Sequence, residues 1–189
     1  MRTLQRCNWA TRDPLYIDYH DKEWGVPVHD DTILFEFLIL EGFQAGLSWI
    51  TILKKRSHFR KAFDKFNVKK IALYDKMKVK ELMNNSLIVR NTLKINAAVQ
   101  SAKAFIDIQN EFGSFDNYVW QFTGGTTKQN SWQSLKQVPA TTPESDLMSK
   151  DLKRRGFKFV GSTICYSFMQ AVGIVNDHIS GCFRFKELW

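Results

Sequence analysis

Cysteine is scarce in this sequence, which has three among its 189 residues: Cys7, Cys165 and Cys182. An odd number of widely spaced cysteines is a poor framework for disulfides and is typical of a reducing compartment. Long apolar runs are also missing, because 33–40 and 47–53 are both broken by polar residues, and no signal peptide opens the chain. These absences predict a soluble cytoplasmic protein without a membrane span, in which at least one thiol is free to act as a ligand.

Acidic residues are outnumbered by basic ones. The chain has 27 Lys and Arg against 19 Asp and Glu, a formal net charge of +8. Such an excess favours polyanionic partners such as nucleic acid or an acidic membrane surface. A hydrophobic content of 44% is enough to form a core, which excludes disorder as the main state. The length predicts a single domain over 1–189.

Helical periodicity and capping residues dominate the chain, and no segment shows the sustained alternation of a strand. Capping residues at 30–32 precede an apolar run whose end Gly42 is expected to weaken, and a second helix is expected from about Ser48. The longest periodic segment spans about 91–112. The polar stretch 123–142 is predicted to be a surface loop rather than a domain boundary. The predicted fold class is all-α.

A helix, a short glycine-bounded hairpin and a second helix are predicted over about 145–172. Glycines allow tight turns at both ends of the hairpin, and the start of the second helix would point unpaired N–H groups outward, where a phosphate can bind. The candidate contacts to a nucleic-acid backbone are Arg154, Arg155, Lys158, Gly161, Ser162 and Thr163. An ordinary turn between packed helices explains the pattern about as well, and the net charge favours DNA modestly.

The two ends of the chain carry a candidate set of metal ligands, Cys7, His20, His178 and Cys182. Two thiolates and two imidazoles suit tetrahedral zinc and leave no position open for water, so the ion would be structural. The spacing between Cys7 and His20 is not a familiar finger pattern. By spacing alone, two separate buried cysteines with surface histidines are the better explanation.

Aromatic and acidic residues are concentrated in 7–49. The aromatic residues Trp9, Tyr16, Tyr19, Trp24 and Trp49 stand near the acidic residues Asp18, Asp21, Glu23 and Glu41. A flat apolar slot ending in one carboxylate suits a positively charged purine, because aromatic faces stack on the base and the carboxylate accepts its hydrogen bonds. Glu41 is the notable carboxylate because it follows the apolar run 37–40. Core aromatics with a solvent-facing carboxylate are the alternative, which these residues alone favour.

Several longer strings resemble those of the DNA-3-methyladenine glycosylase I family. They are CNW at 7–9, DPLY at 13–16, YHDKEWG at 19–25, EG at 41–42, QAGLSWITILKK at 44–55, RRGFKFVG at 154–161 and NDH at 176–178. The similarity covers essentially the whole chain. It implies an all-α helix-hairpin-helix DNA glycosylase fold that removes 3-methyladenine from alkylated double-stranded DNA and releases the free base. We expect a monomer.

The resemblance implies roles for the residues at the chain ends and in the aromatic segment. The zinc ligands would be Cys7, His20, His178 and Cys182, and the ion would join the terminal segments 7–20 and 178–182. The base pocket would comprise Glu41 and Tyr19 as hydrogen-bonding residues, Trp49 as the stacking residue, and Trp9 and Trp24 as its wall.

The resemblance also implies which segments contact DNA. Gly46 and Leu47 match the loop that enters the gap left by a flipped nucleotide, and 156–163 would anchor the DNA backbone. Phe43 departs from the family pattern, in which a polar residue, often Gln, precedes the Gln-Ala-Gly string. The family's loop contacts are therefore not carried over at Phe43.

A base alkylated at N3 is cationic and leaves as a neutral molecule without a general acid, so the enzyme can rely on selection. Glu41 is then mainly a recognition residue and is the candidate for stabilising the charge that develops during bond breakage. No lysine falls in the matched pocket, which predicts hydrolysis without strand cleavage. The rival hypotheses are a DNA-binding module that has lost catalysis and, more weakly, a zinc hydrolase.

Overall fold

The computed structural model describes residues 4–10 and 12–188, which form a mostly helical chain. The helices are α1 Pro14–Lys22, α2 Asp31–Gln44, α3 Trp49–Ala62, α4 Val68–Ile71, α5 Lys76–Asn84, α6 Thr92–Phe112, α7 Phe115–Val119, α8 Pro143–Arg154, α9 Ser162–Ala171 and α10 Phe183–Glu187. Short 3-10 helices lie at Asp64–Phe66, Trp120–Thr123 and Leu135–Gln137, and two short strands are β1 Lys128–Gln129 and β2 Val175–Asn176. None of the described helices is both long and apolar enough to cross a membrane.

Side-chain caps begin the predicted helices where the sequence indicates. Asp30 accepts a hydrogen bond from the Ile33 amide at 2.9 Å, and Asn91 accepts one from the Lys94 amide at 3.1 Å. Thr142 and Ser145 form a reciprocal capping box at the start of α8. Local hydrogen bonds of this kind satisfy the free amides of a first helical turn, so the sequence alone predicts them well.

Helix α2 continues past Gly42 to Gln44, so this glycine lies within the last turn of the helix. A Cβ built on Gly42 would lie 3.3 Å from the Cβ of Phe159, in the hairpin between α8 and α9. Glycine therefore serves a close approach of the hairpin to α2, and this contact is invisible in the local sequence.

Helix α2 lies at the centre of the molecule and packs against α3, α6, α7 and α9. Its residues from Leu34 to Phe43 are all buried, including two glutamates, Glu36 and Glu41. Glu36 is neutralised by Arg56 and Arg60, whose Nε atoms lie 2.5 and 2.9 Å from its carboxylate oxygens. Glu41 forms no ion pair with any of the described residues.

A parallel two-stranded ladder is the one strand pairing in the part of the chain that the structure describes, and it qualifies the all-α prediction. Lys128 pairs with Val175 and Gln129 with Asn176. The ladder ties the polar stretch 123–142 to the segment just before His178. Two-residue strands are too short to give an alternating pattern in the sequence.

Candidate functional site

A cavity of about 170 Å³ opens beside the C-terminal half of α2. It is lined by Trp9, Tyr16, Tyr19, Trp24, Glu41, Gln44, Trp49, Ser167 and Gln170. The lining therefore comes from four helices: α1 with the residues on either side of it, α2, the first residue of α3, and one face of α9. Every residue that the sequence assigned to the base pocket lies in this lining.

The aromatic rings form a slot with one stacking face and one wall. The ring centres of Tyr19 and Trp49 are 5.7 Å apart, and Phe37 stacks behind Trp49 at 6.5 Å. Trp9 meets Trp24 edge to face at 5.0 Å. Fixed rings of this kind offer a flat apolar surface to a planar base at little cost in side-chain entropy.

Glu41 is 3% exposed, and its Oε2 atom is buried with no hydrogen-bond partner among the described residues. Burial raises the pKa of this carboxyl group to about 8, because the charged form is poorly solvated there. Burial and then the nearby Glu41 also raise the pKa of the Tyr19 hydroxyl well above its usual value. Buried polar atoms left unpaired in a cavity indicate a ligand that pairs with them.

Sequence reasoning did not assign Gln44, Ser167 or Gln170 to the pocket, and it named Tyr16 only as a member of the aromatic cluster. Ser167 and Gln170 lie three residues apart on α9, so they share a helix face. Tyr16 and Gln44 belong to the quoted strings at 13–16 and 44–55, which offered a signal for them. No local signal marked α9, because its approach to α2 is a tertiary contact.

Asp177 lies outside the cavity lining and is fully engaged. Its carboxylate accepts hydrogen bonds from Asn130, Trp132, Tyr166 and Gln170 at 2.5–2.8 Å. Asp177 therefore orients the amide of the pocket residue Gln170 and stands in no position to support a sugar cation directly.

The side chains of Cys7, His20, His178 and Cys182 converge although the cysteines are far apart in sequence. All are buried, and their ligand atoms lie within 4.8 Å of one another. Cys182 Sγ lies 3.4 Å from His20 Nε2 and 3.5 Å from His178 Nδ1, and Cys7 Sγ lies 3.7 Å from His178 Nδ1. The sulfur-to-nitrogen edges of a tetrahedral zinc site are about 3.6 Å from the usual bond lengths. The donor set and its spacing therefore fit a four-coordinate ion.

Each imidazole of the cluster is also held by its other nitrogen. His20 Nδ1 lies 2.8 Å from a carboxylate oxygen of Asp21, which in turn accepts hydrogen bonds from Arg6. His178 Nε2 lies 3.1 Å from the backbone oxygen of Trp24. Metal-bound histidines are typically oriented in this way. Because Trp24 also lines the cavity, the cluster and the pocket share one wall.

The loop 45–48 joins α2 to α3 at the mouth of the cavity and is exposed. Gly46 has a φ of 80°, and Leu47 is 42% exposed. Phe43 is buried and packs edge to face on Phe59 with ring centres 4.8 Å apart. The departure at Phe43 therefore belongs to the core and not to the exposed loop.

The hairpin between α8 and α9 presents an uncapped helix start. Gly161 is the N-cap residue of α9 and provides no side-chain cap, while Lys158 and Thr163 are exposed beside it. Arg155 is different from the sequence expectation, because its guanidinium is paired with Glu111 and Asp151 and is only 16% exposed. These ion pairs fix the hairpin onto α6 and leave Arg155 little freedom to reach a phosphate.

Comparisons with known proteins agree with this geometry. The family model for methyladenine glycosylase matches residues 9–185. DNA-3-methyladenine glycosylase 1 of Escherichia coli strain K12 is 48% identical over 179 residues, which cover 95% of this chain and 96% of the relative.

Solved structures of such enzymes superpose closely on this chain. A crystal structure of a 3-methyladenine DNA glycosylase I has a TM-score of 0.92 and 51% identity, covering 95% of this chain and 98% of the other. The glycosylase I of Staphylococcus aureus, solved for the structural basis of its 3-methyladenine recognition, has a TM-score of 0.92 and 35% identity, covering 95% and 96%. The chain therefore belongs to the methyladenine glycosylase family.

Proposed function

We propose that this protein removes 3-methyladenine from alkylated double-stranded DNA by hydrolysing its N-glycosidic bond, the first step of base-excision repair. The observation that carries the proposal is the unpaired carboxylate of Glu41, buried at the end of an aromatic slot. The relatives named for 3-methyladenine support the same substrate.

The charge of the lesion explains how this slot selects it. A base alkylated at N3 is cationic in the nucleotide, so it stabilises the Glu41 carboxylate that burial disfavours. Trp49 stacks on the ring, and Tyr19 supplies a further hydrogen bond. A normal adenine is neutral and would leave the buried carboxylate without a counter-charge.

Bond breakage needs little chemistry from the protein. The alkylated base leaves as a neutral molecule, so no general acid is required, and water attacks the sugar carbon once the nucleotide is flipped out of the stack. Glu41 stabilises the cationic base and the developing positive charge near it. Among the described lining residues there is no lysine, which favours hydrolysis without strand cleavage.

DNA would be held at two places beside the pocket. The hairpin with Lys158 and the amides of Gly161, Ser162 and Thr163 would bind the phosphate backbone, and Gly46 and Leu47 would occupy the gap left by the flipped nucleotide. The first contact is independent of sequence, because it reads phosphates and not base edges.

Replacing Lys158 with alanine is expected to weaken binding to duplexes of every sequence. The slope of log K against log salt concentration should fall by about one unit, because one phosphate contact is lost. Fluorescence anisotropy titrations at several salt concentrations measure both quantities. Lys136→Ala removes the same charge from an exposed residue outside the hairpin and should leave the slope unchanged. A loss confined to one duplex sequence would contradict the backbone anchor.

The cluster of Cys7, His20, His178 and Cys182 is proposed to hold a structural zinc ion. Zinc bound there would supply cross-linking between the two ends of the chain. Four protein ligands leave no coordination position for a nucleophilic water, which argues against a zinc hydrolase. We also propose that the protein is a monomer and that it is located in the cytoplasm.

The decisive test is the release of free bases from methylated duplex DNA, separated by chromatography. We expect 3-methyladenine to appear, with little 7-methylguanine, and no cleaved strand. Release of neither base by folded, metal-loaded protein would favour the DNA-binding module that lacks catalysis. In that case binding to duplex DNA would persist without product.

A further inference from the structure

Lys94, on the first turn of α6, inserts its ammonium group beneath the C-terminal end of α2. Its Nζ donates hydrogen bonds to the backbone oxygens of Phe43 at 2.8 Å and Ala45 at 2.6 Å. The residue is only 8% exposed. Within residues 4–10 and 12–188 it forms no ion pair with a carboxylate, so the two backbone carbonyls are its hydrogen-bonding partners.

These two carbonyls bracket the point where α2 changes into the exposed loop. The last carbonyls of a helix have no partner within the helix and attract a cation. Ala45 is the C-cap residue of α2, and Gly46 follows with a φ of 80°. Gln44, between the two bonded residues, lines the cavity. Lys94 therefore fixes the direction in which the chain leaves α2 toward Leu47.

Lys94 also contacts the hairpin. Its Nζ lies 5.9 Å from the ring centre of Phe159, whose backbone has a positive φ of 54°. The same Phe159 packs against Gly42 of α2. One side chain thus contacts both segments that are proposed to bind DNA, the loop 45–48 and the hairpin.

Burying an ammonium group here is costly. Burial lowers the pKa of Lys94, and a methionine of similar length would fill the space without that penalty. A neutral side chain would, however, leave the Phe43 and Ala45 carbonyls without the donor that holds the loop.

We propose that Lys94 is a positioning residue for DNA: it holds the loop 45–48 in the conformation that enters the gap in a duplex, while leaving recognition of the base to the pocket. This inference rests on the proposed function. It predicts that replacing Lys94 lowers excision from duplex DNA and binding to a duplex that contains a gap. Excision from single strands and binding of the free base, which need only the pocket, should be little changed.

The test compares Lys94→Met with the unsubstituted protein in three measurements. Excision of 3-methyladenine from duplex DNA should fall about tenfold, whereas excision from methylated single strands and the Kd for free 3-methyladenine should change less than twofold. The preference for a duplex containing an abasic-site analogue over an intact duplex should also fall about tenfold. This last measurement needs no catalysis, so it tests Lys94 even if the protein excises nothing.

Two further variants separate positioning from general stability. Lys55→Met removes another lysine that donates to two backbone carbonyls, those of Ser86 and Leu87, and should leave the abasic preference unchanged. Leu47→Ala combined with Lys94→Met should lower that preference no further than either change alone, because both act through the same loop.

The proposal is overturned if free-base binding and single-strand excision fall as much as duplex excision, since Lys94 would then merely support the pocket. It is also overturned if the abasic preference is unchanged, or if the effects of the Leu47 and Lys94 substitutions add. Should the methionine variant fail to fold, Lys94→Ala, which also removes the donor but leaves room for water at the two carbonyls, is held to the same expected results.

Discussion

Replacing Glu41 with glutamine lowers the release of 3-methyladenine from methylated duplex DNA by an expected ten- to a hundredfold. The substitution keeps the shape of the side chain but removes the negative charge that faces the cationic base, and a hydrogen bond to a charged group contributes about 1.5–3 kcal/mol. The Kd for free 3-methyladenine, followed through the fluorescence of the pocket tryptophans, should rise as well. An unchanged Kd would remove Glu41 from the base pocket.

The pH dependence of excision should carry the signature of Glu41. Its carboxyl group in the free protein has a pKa of about 8, and the form that faces a cationic base is the carboxylate. Therefore kcat/KM should rise as pH increases toward 8 and level off above it, since this ratio reports the ionisation of the free enzyme. The Glu41→Gln variant should show no such rise. A flat profile in the unsubstituted protein would contradict the assignment.

The same substitution should stabilise the free protein at alkaline pH. The pKa of Glu41 is about 8 in the folded state and 4.5 in the unfolded state, so the folded state remains protonated to a higher pH. The contribution of Glu41 to stability is therefore fully present below pH 4.5 and is lost as the pH rises to 8. Because glutamine does not titrate, the variant's advantage should grow across this range to at most about 5 kcal/mol. Thermal unfolding of both proteins from pH 5 to pH 9 measures it.

Glu36→Gln provides the matched control on the same helix. Glu36 is also buried, but it is paired with Arg56 and Arg60. Its replacement removes a charged partner from both arginines and leaves the buried Arg56 paired with Glu23 alone, so it should destabilise the protein. If Glu41→Gln stabilises the protein at pH 8 and Glu36→Gln destabilises it, the Glu41 carboxylate lowers stability and is retained for binding. Destabilisation by both substitutions would mean that Glu41 is a structural residue.

Loss of the metal-ligand cluster is the second large expected effect. Cys182→Ser should lower the bound zinc to background and lower the Tm by about 8–16 °C. These values follow from a metal stabilisation of about 4 kcal/mol at a thousandfold excess over Kd and from 2–4 °C per kcal/mol in a chain of this length. Elemental analysis and thermal unfolding, with and without chelator, measure both quantities.

Cys165→Ser is the control for the cluster. Cys165 is also buried, but its thiol bonds the backbone oxygen of Val160, and it is not a member of the cluster. It should retain zinc, and chelator should lower its Tm as it does that of the unsubstituted protein. Loss of turnover on metal removal without loss of stability would instead favour a zinc hydrolase. A chain that binds no zinc and does not respond to chelator would disprove the metal site.

Local sequence signals determined several helix boundaries of this protein. Asn91 and Thr142 begin helices because a side-chain oxygen can reach an amide two or three residues ahead, and this chemistry is complete within one turn. The strings around Glu41 and Trp49 pointed to the pocket, again because the chemistry of a stacking ring and a carboxylate is carried by residue type. The ligand set was implied by family resemblance, since the spacing between Cys7 and His20 is uninformative.

Only the tertiary structure decided which charged residues are paired and which are left unpaired. Glu36 and Glu41 look alike in sequence, yet Arg56 and Arg60 reach one and leave the other unpaired. The sequence makes Arg155 a candidate to bind phosphate, whereas in the structure its guanidinium is paired with Glu111 and Asp151. Burial and ion pairing depend on contacts between distant parts of the chain. A capping motif is contained within a few residues, whereas the charge state of a buried carboxylate depends on every element packed around it.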